Sequence, residues 1–71
     1  MKGTVEDTKI KALRGYYSSL IDIHKSELQV YIDNPAAIGD HSNLVETMDV
    51  LVGKIAEAED KLIVLETHFS D

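Results

Sequence analysis

The apolar residues of the C-terminal half recur at alternating intervals of four and three residues. This spacing keeps them on one face of an α helix, and it is typical of helices that pack lengthwise against other helices. The pattern has no break, so it predicts a helix over about residues 41–69. Its members are Leu44, Met48, Leu51, Ile55, Ala58, Leu62, Leu65 and Phe69.

The N-terminal half has a similar helical periodicity, and we expect a helix over about residues 5–33. Thr4 can cap its first amides, and Glu6 and Asp7 fall in the first turn, where the helix dipole favours negative charge. The pattern stops before Pro35, because a proline disfavours the α conformation in the residue that precedes it. The expected core positions are Ile10, Leu13, Tyr17, Leu20, Ile21, Leu28, Tyr31 and Ile32.

The segment between the two helices, residues 34–40, predicts a hinge. Asn34 can cap a short turn, Pro35 suits its first position, and Gly39 permits a left-handed exit. Ile38 is the large apolar residue of this segment and is expected to close the end of the core. Two helices of equal length joined by a short connection predict one all-α domain folded as an antiparallel hairpin.

Both helices carry more apolar surface than one contact between them can bury. Val45 and Val52 flank the seam of the second helix, and Ala56 and Ile63 are expected on its other side. The first helix has a second stripe as well, which we expect to join the others in an interface. The candidate interface residues are Tyr16, Ile23, Val30, Val45, Val52 and Ile63. Such exposed patches are typical of association surfaces, so we expect a dimer that forms a four-helix bundle, or a larger homo-oligomer.

Composition supports this interpretation and narrows the function. A chain of 71 residues gains little stability from one small core, and without cysteine it has no disulfide to add. Its net charge is −6 with seven dispersed Lys and Arg residues, which disfavours nucleic-acid binding. No apolar run reaches the length of a membrane span, and the acidic N-terminus does not resemble a signal peptide. We therefore expect a cytoplasmic protein.

The residues able to do chemistry show no pattern of an active site. His24 falls near the core stripe, while His41 and His68 fall near the ends of the second helix, and no two histidines have the spacing of a metal site. The carboxylates of Glu57, Glu59 and Asp60 are expected on a solvated face. We predict no catalytic residue, cofactor or metal, although ligand binding by His24 or His41 stays open.

The hinge and second helix resemble small helical proteins of unassigned activity that tailed bacteriophages encode. The resemblance rests on the run from Tyr31 to His41 and on four later groups: Met48-Asp49, Lys54-Ile55-Ala56, Asp60-Lys61-Leu62 and His68-Phe69. It implies a phage origin and expression in an infected bacterium, and it assigns no functional residue.

The sequence thus favours a non-enzymatic hairpin that self-associates and acts through protein contacts. In a phage setting it would be a virion or assembly component, or an accessory protein that binds a host protein. Two alternatives stay open. One is a helical oligomer that sequesters a small molecule or metal, and the other is an acidic inhibitor that imitates DNA.

Overall fold

The computed structural model describes residues 7–34 and 43–70, and these residues form two helices with no strand. Helix α1 spans Thr8–Asp33 and helix α2 spans Leu44–Phe69. The two helices pack against each other, which confirms the all-helical fold class. The hinge residues Pro35, Ile38 and Gly39, like His41, lie outside the described residues.

Helix α1 is capped at its start by Asp7. The carboxylate of Asp7 accepts a hydrogen bond from the amide of Lys9 at 2.7 Å, and its carbonyl accepts one from the amide of Lys11 at 3.0 Å. The helix therefore begins at Thr8, later than the sequence suggests, because the side chain of Asp7 caps the free amide of Lys9. The expected cap, Thr4, lies outside the described residues. At the other end, the amide of Asn34 donates to the carbonyl of Val30 at 2.9 Å.

Contacts at both ends show that the helices run antiparallel. Near the start of α1, the Nζ atom of Lys61 lies 5.6 Å from the centre of the Tyr17 ring. Near the end of α1, Tyr31 lines a groove together with Leu51, from the first half of α2. Early residues of one helix thus meet late residues of the other, as the hairpin requires.

The buried core is a single line of side chains on α2. Leu51, Ala58 and Leu65, spaced seven residues apart, are 7%, 2% and 5% exposed. Their neighbours in the predicted seam are half-buried, namely Leu44, Met48, Ile55 and Leu62. Phe69 is the exception, since it is 61% exposed at the last residue of α2, where α1 has only begun.

The face of α1 that packs on this core differs in part from the predicted one. Seven of the half-buried residues of α1 follow the four–three spacing of a heptad, and they are Ile10, Arg14, Tyr17, Ile21, His24, Leu28 and Tyr31; Leu20 is half-buried beside this line. Leu13 and Ile32 were expected in the core and are exposed instead. Arg14 occupies a core-facing position that hydropathy alone does not reveal. With two polar members, this face leaves α1 without a fully buried residue.

Candidate functional site

The six candidate interface residues all lie exposed on the hairpin. Tyr16, Ile23 and Val30 follow one another at seven-residue intervals along α1. Val45, Val52 and Ile63 form a stripe on α2 together with the exposed Ala56, and we call these four residues the α2 stripe. Contact between α1 and α2 covers neither group.

An open groove between the helices shows on which face of the hairpin each set of candidate residues lies. The groove has a volume of about 280 Å³ and is lined by Glu27, Val30, Tyr31, Thr47 and Leu51. Val30 and Thr47 therefore belong to the same face of the hairpin, which we call the groove face. Tyr16 and Ile23 share the side of α1 on which Val30 lies, because residues seven apart nearly coincide around a helix.

The α2 stripe lies on the opposite face. At 3.6 residues per turn, Val45, Val52 and Ile63 are each roughly 140–160° around α2 from Thr47, which lines the groove. The same geometry corrects one expectation, because Val52 and Ile63 are only about 20° apart and so lie on one side of the seam. The six candidate residues thus form two separate surfaces.

The surface on α1 is larger than the three residues that the sequence singled out. Leu13 is exposed and Leu20 is half-buried, and both lie on the groove-face side of α1. With them the spacing again alternates between three and four, interrupted only by the carboxylate of Glu27. We call this line the outer seam of α1: Leu13, Tyr16, Leu20, Ile23 and Val30. Sequence reasoning assigned to the core both Leu13, which is exposed, and Leu20, which is half-buried. The heptad spacing of these two residues beside Tyr16 and Ile23 could have identified the outer seam.

The charges that accompany the two surfaces differ. Asp49, Glu59 and Glu66 interrupt the α2 stripe at helical spacing, and all three are exposed. The line of the outer seam is interrupted by one acid, Glu27. Lys61 pairs with Glu57 at 3.8 Å, as their four-residue spacing predicts, and both side chains are largely exposed. A pair of this kind contributes a few tenths of a kcal/mol.

The histidine nearest the core has a partner on its own helix. The ring Nδ1 of His24 lies 2.8 Å from Glu27 Oε1, and the His24 side chain is only 16% exposed. His68 stacks edge-on against Phe69, with ring centres 6.4 Å apart, in the exposed last turn of α2. Within residues 7–34 and 43–70, no three histidine or acidic side chains converge as metal ligands would. His24 thus lies at the edge of the core, in contact with Glu27.

Comparisons with known proteins add no family to this description. No protein family, curated protein or solved structure matches the chain. Neither described helix has the length and apolar character needed to cross a membrane. The candidate functional site is therefore defined by geometry alone, as two apolar surfaces on opposite faces of a hairpin.

Proposed function

We propose that this protein is a non-enzymatic helical hairpin that associates with copies of itself and acts through protein contacts. The observation that carries the proposal is the imbalance between buried and exposed apolar side chains. Three apolar residues are buried in the described hairpin, whereas eleven large ones are exposed. Isolated apolar side chains are common on protein surfaces, but rows of them at heptad spacing mark a surface that packs against another helix.

Energetics favour the same proposal. A single core in a chain of this size contributes no more than about 3–5 kcal/mol of stability. Covering a half-exposed Ile or Val side chain adds roughly 1 kcal/mol, so the five residues of the outer seam could match the whole contribution of the core. Self-association would thus supply the stability that other small proteins obtain from disulfides or metals.

The biological setting belongs to the same proposal. The resemblance to proteins of tailed bacteriophages favours a phage-encoded protein in the cytoplasm of an infected bacterium. There it would serve as a virion or assembly component, or as an accessory factor that binds a host protein. An oligomer with a second apolar face still uncovered suits these roles, because that face can contact a different protein.

A second candidate function is the binding of a small apolar molecule between subunits. The groove beside Tyr31 and Leu51 supports it, since it is apolar apart from Glu27 and Thr47. Its volume of about 280 Å³ lies at the lower limit for small-molecule sites, and it is open to solvent. A second subunit would have to enclose it.

Native mass spectrometry of the purified, unliganded protein separates the two candidates. The leading proposal predicts a dimer or larger oligomer whose mass is a whole multiple of the chain mass. Retained metal or small molecule would favour the binding function. A monomer across the micromolar range would contradict the leading proposal.

A further inference from the structure

We propose that the outer seam of α1 is where two copies meet, each copy pairing it antiparallel with the outer seam of the other. This inference rests on the proposed self-association and identifies both the surface and the orientation. The occupant of the groove face is thus a second copy of this chain, with α1 against α1.

The pattern of the outer seam supports pairing with itself. Leu13, Tyr16, Leu20 and Ile23 occupy consecutive seam positions, and Val30 extends the line by one heptad. A two-fold axis crossing α1 near its middle, between Leu20 and Ile23, brings this line onto its own copy. Leu20 then packs against Ile23 of the second copy, and Leu13 packs against Val30. Four of the five members of the seam, all but Tyr16, thus have an apolar partner in this register.

The remaining seam position also has a suitable partner. The same register brings the Tyr16 hydroxyl of one copy to the level of Glu27 of the other. Glu27 uses Oε1 for its contact with His24, which leaves Oε2 to accept a hydrogen bond from the hydroxyl. Glu27 also lines the groove, so the incoming tyrosine ring would cover its open side.

The charges along α1 favour the antiparallel orientation. Lys9 lies on the line of the outer seam, seven residues before Tyr16, and Glu27 lies within that line. Parallel pairing would bring Lys9 beside Lys9 and Glu27 beside Glu27 of the second copy, which is unfavourable at close range. Antiparallel pairing separates these like charges and places Glu27 beside Tyr16.

Charge also argues against the α2 stripe as the contact between copies. The antiparallel register that pairs Val45 with Ile63, and Val52 with Ala56, also places Asp49 opposite Glu59 of the second copy. Two carboxylates would then face each other on each side of the axis, in a contact with no basic residue in the stripe to compensate. The outer seam has no such conflict.

Two matched substitutions test the assignment. Ile23→Glu alters the outer seam and Val52→Glu alters the α2 stripe, and both parent side chains are β-branched, mid-helix and 51% exposed. The two variants therefore gain similar helix propensity and add the same charge. In sedimentation equilibrium, we expect Ile23→Glu to weaken dimerisation by about 100-fold or more, and Val52→Glu to change it by less than about threefold.

Crosslinking tests the orientation in a chain that has no cysteine of its own. Ile23→Cys places two thiols close to the two-fold axis, so a short bismaleimide should join the copies. Val30→Cys places them about 25 Å apart along the axis if α1 runs antiparallel to its copy, and adjacent if it runs parallel. We expect efficient crosslinking at position 23 and little at position 30. Efficient crosslinking at both positions would overturn the antiparallel assignment.

The outcomes separate this inference from the proposed function. A wild-type oligomer that survives Ile23→Glu and dissociates with Val52→Glu would overturn the outer seam and keep self-association. A wild-type monomer would contradict both. Two results together support the outer seam: Ile23→Glu dissociates the oligomer while Val52→Glu does not, and Ile23→Cys crosslinks in a chain that is otherwise wild type.

Discussion

Replacing Leu51 with alanine tests the core on which the hairpin depends. Leu51 is 7% exposed and is one of only three buried apolar residues in the described hairpin. Leucine-to-alanine changes in protein cores cost about 2–5 kcal/mol. Because Leu51 also borders the open groove, one side of it lacks packed neighbours, and we place the cost near the lower limit. That loss approaches the entire stability expected from a core of this size.

The assay is thermal unfolding followed by far-ultraviolet circular dichroism, at one fixed protein concentration because association shifts the midpoint. A loss of about 2 kcal/mol should lower the midpoint by roughly 8–16 °C in a chain this small. The matched control is Val50→Ala, one residue earlier and 53% exposed, which should cost less than about 0.5 kcal/mol. Equal midpoints for the two variants would refute the packing of α1 on this face of α2.

Three further substitutions test other features of the hairpin by the same assay. His24→Leu should raise the midpoint, because a leucine suits this half-buried position and the lost contact to the exposed Glu27 contributes little; a lower midpoint would show that the histidine has a specific role. Gly53→Ala should stabilise α2 by about 1 kcal/mol, since a methyl group there meets open space and alanine favours the helix; no gain would indicate that another chain approaches at Gly53. Ala58→Leu should destabilise the hairpin by about 1–3 kcal/mol, because Ala58 is 2% exposed and the larger side chain would force the helices apart; a neutral result would place α1 farther from α2.

The all-helical hairpin could be predicted from the sequence because its strongest signal, the seam of α2, is a pure heptad of apolar residues. That signal depends only on helical periodicity, and it identified Leu51, Ala58 and Leu65, which proved to be the buried core. The start of α1 was predicted less accurately. Thr4 and Asp7 are both able to cap a helix, and local sequence does not decide between them.

The assignment of faces on α1 was only partly predictable. The helix has two heptad lines side by side, and the one that packs on α2 includes the polar residues Arg14 and His24. Hydropathy favoured Leu13 over Arg14 as a core residue, yet tertiary packing decides which of the two lines faces α2. The outer seam and the α2 stripe face opposite ways, and this could be recognised only from the structure, in which Val30 and Thr47 line the same groove.

Sedimentation equilibrium of the wild-type protein, from micromolar to hundreds of micromolar concentration, tests the central claim most directly. If the exposed outer seam drives association, the mass should rise with concentration from one chain to two, or remain a multiple of the chain mass throughout. A single-chain mass across the whole range would contradict the claim that this hairpin is one part of an assembly formed by its own copies.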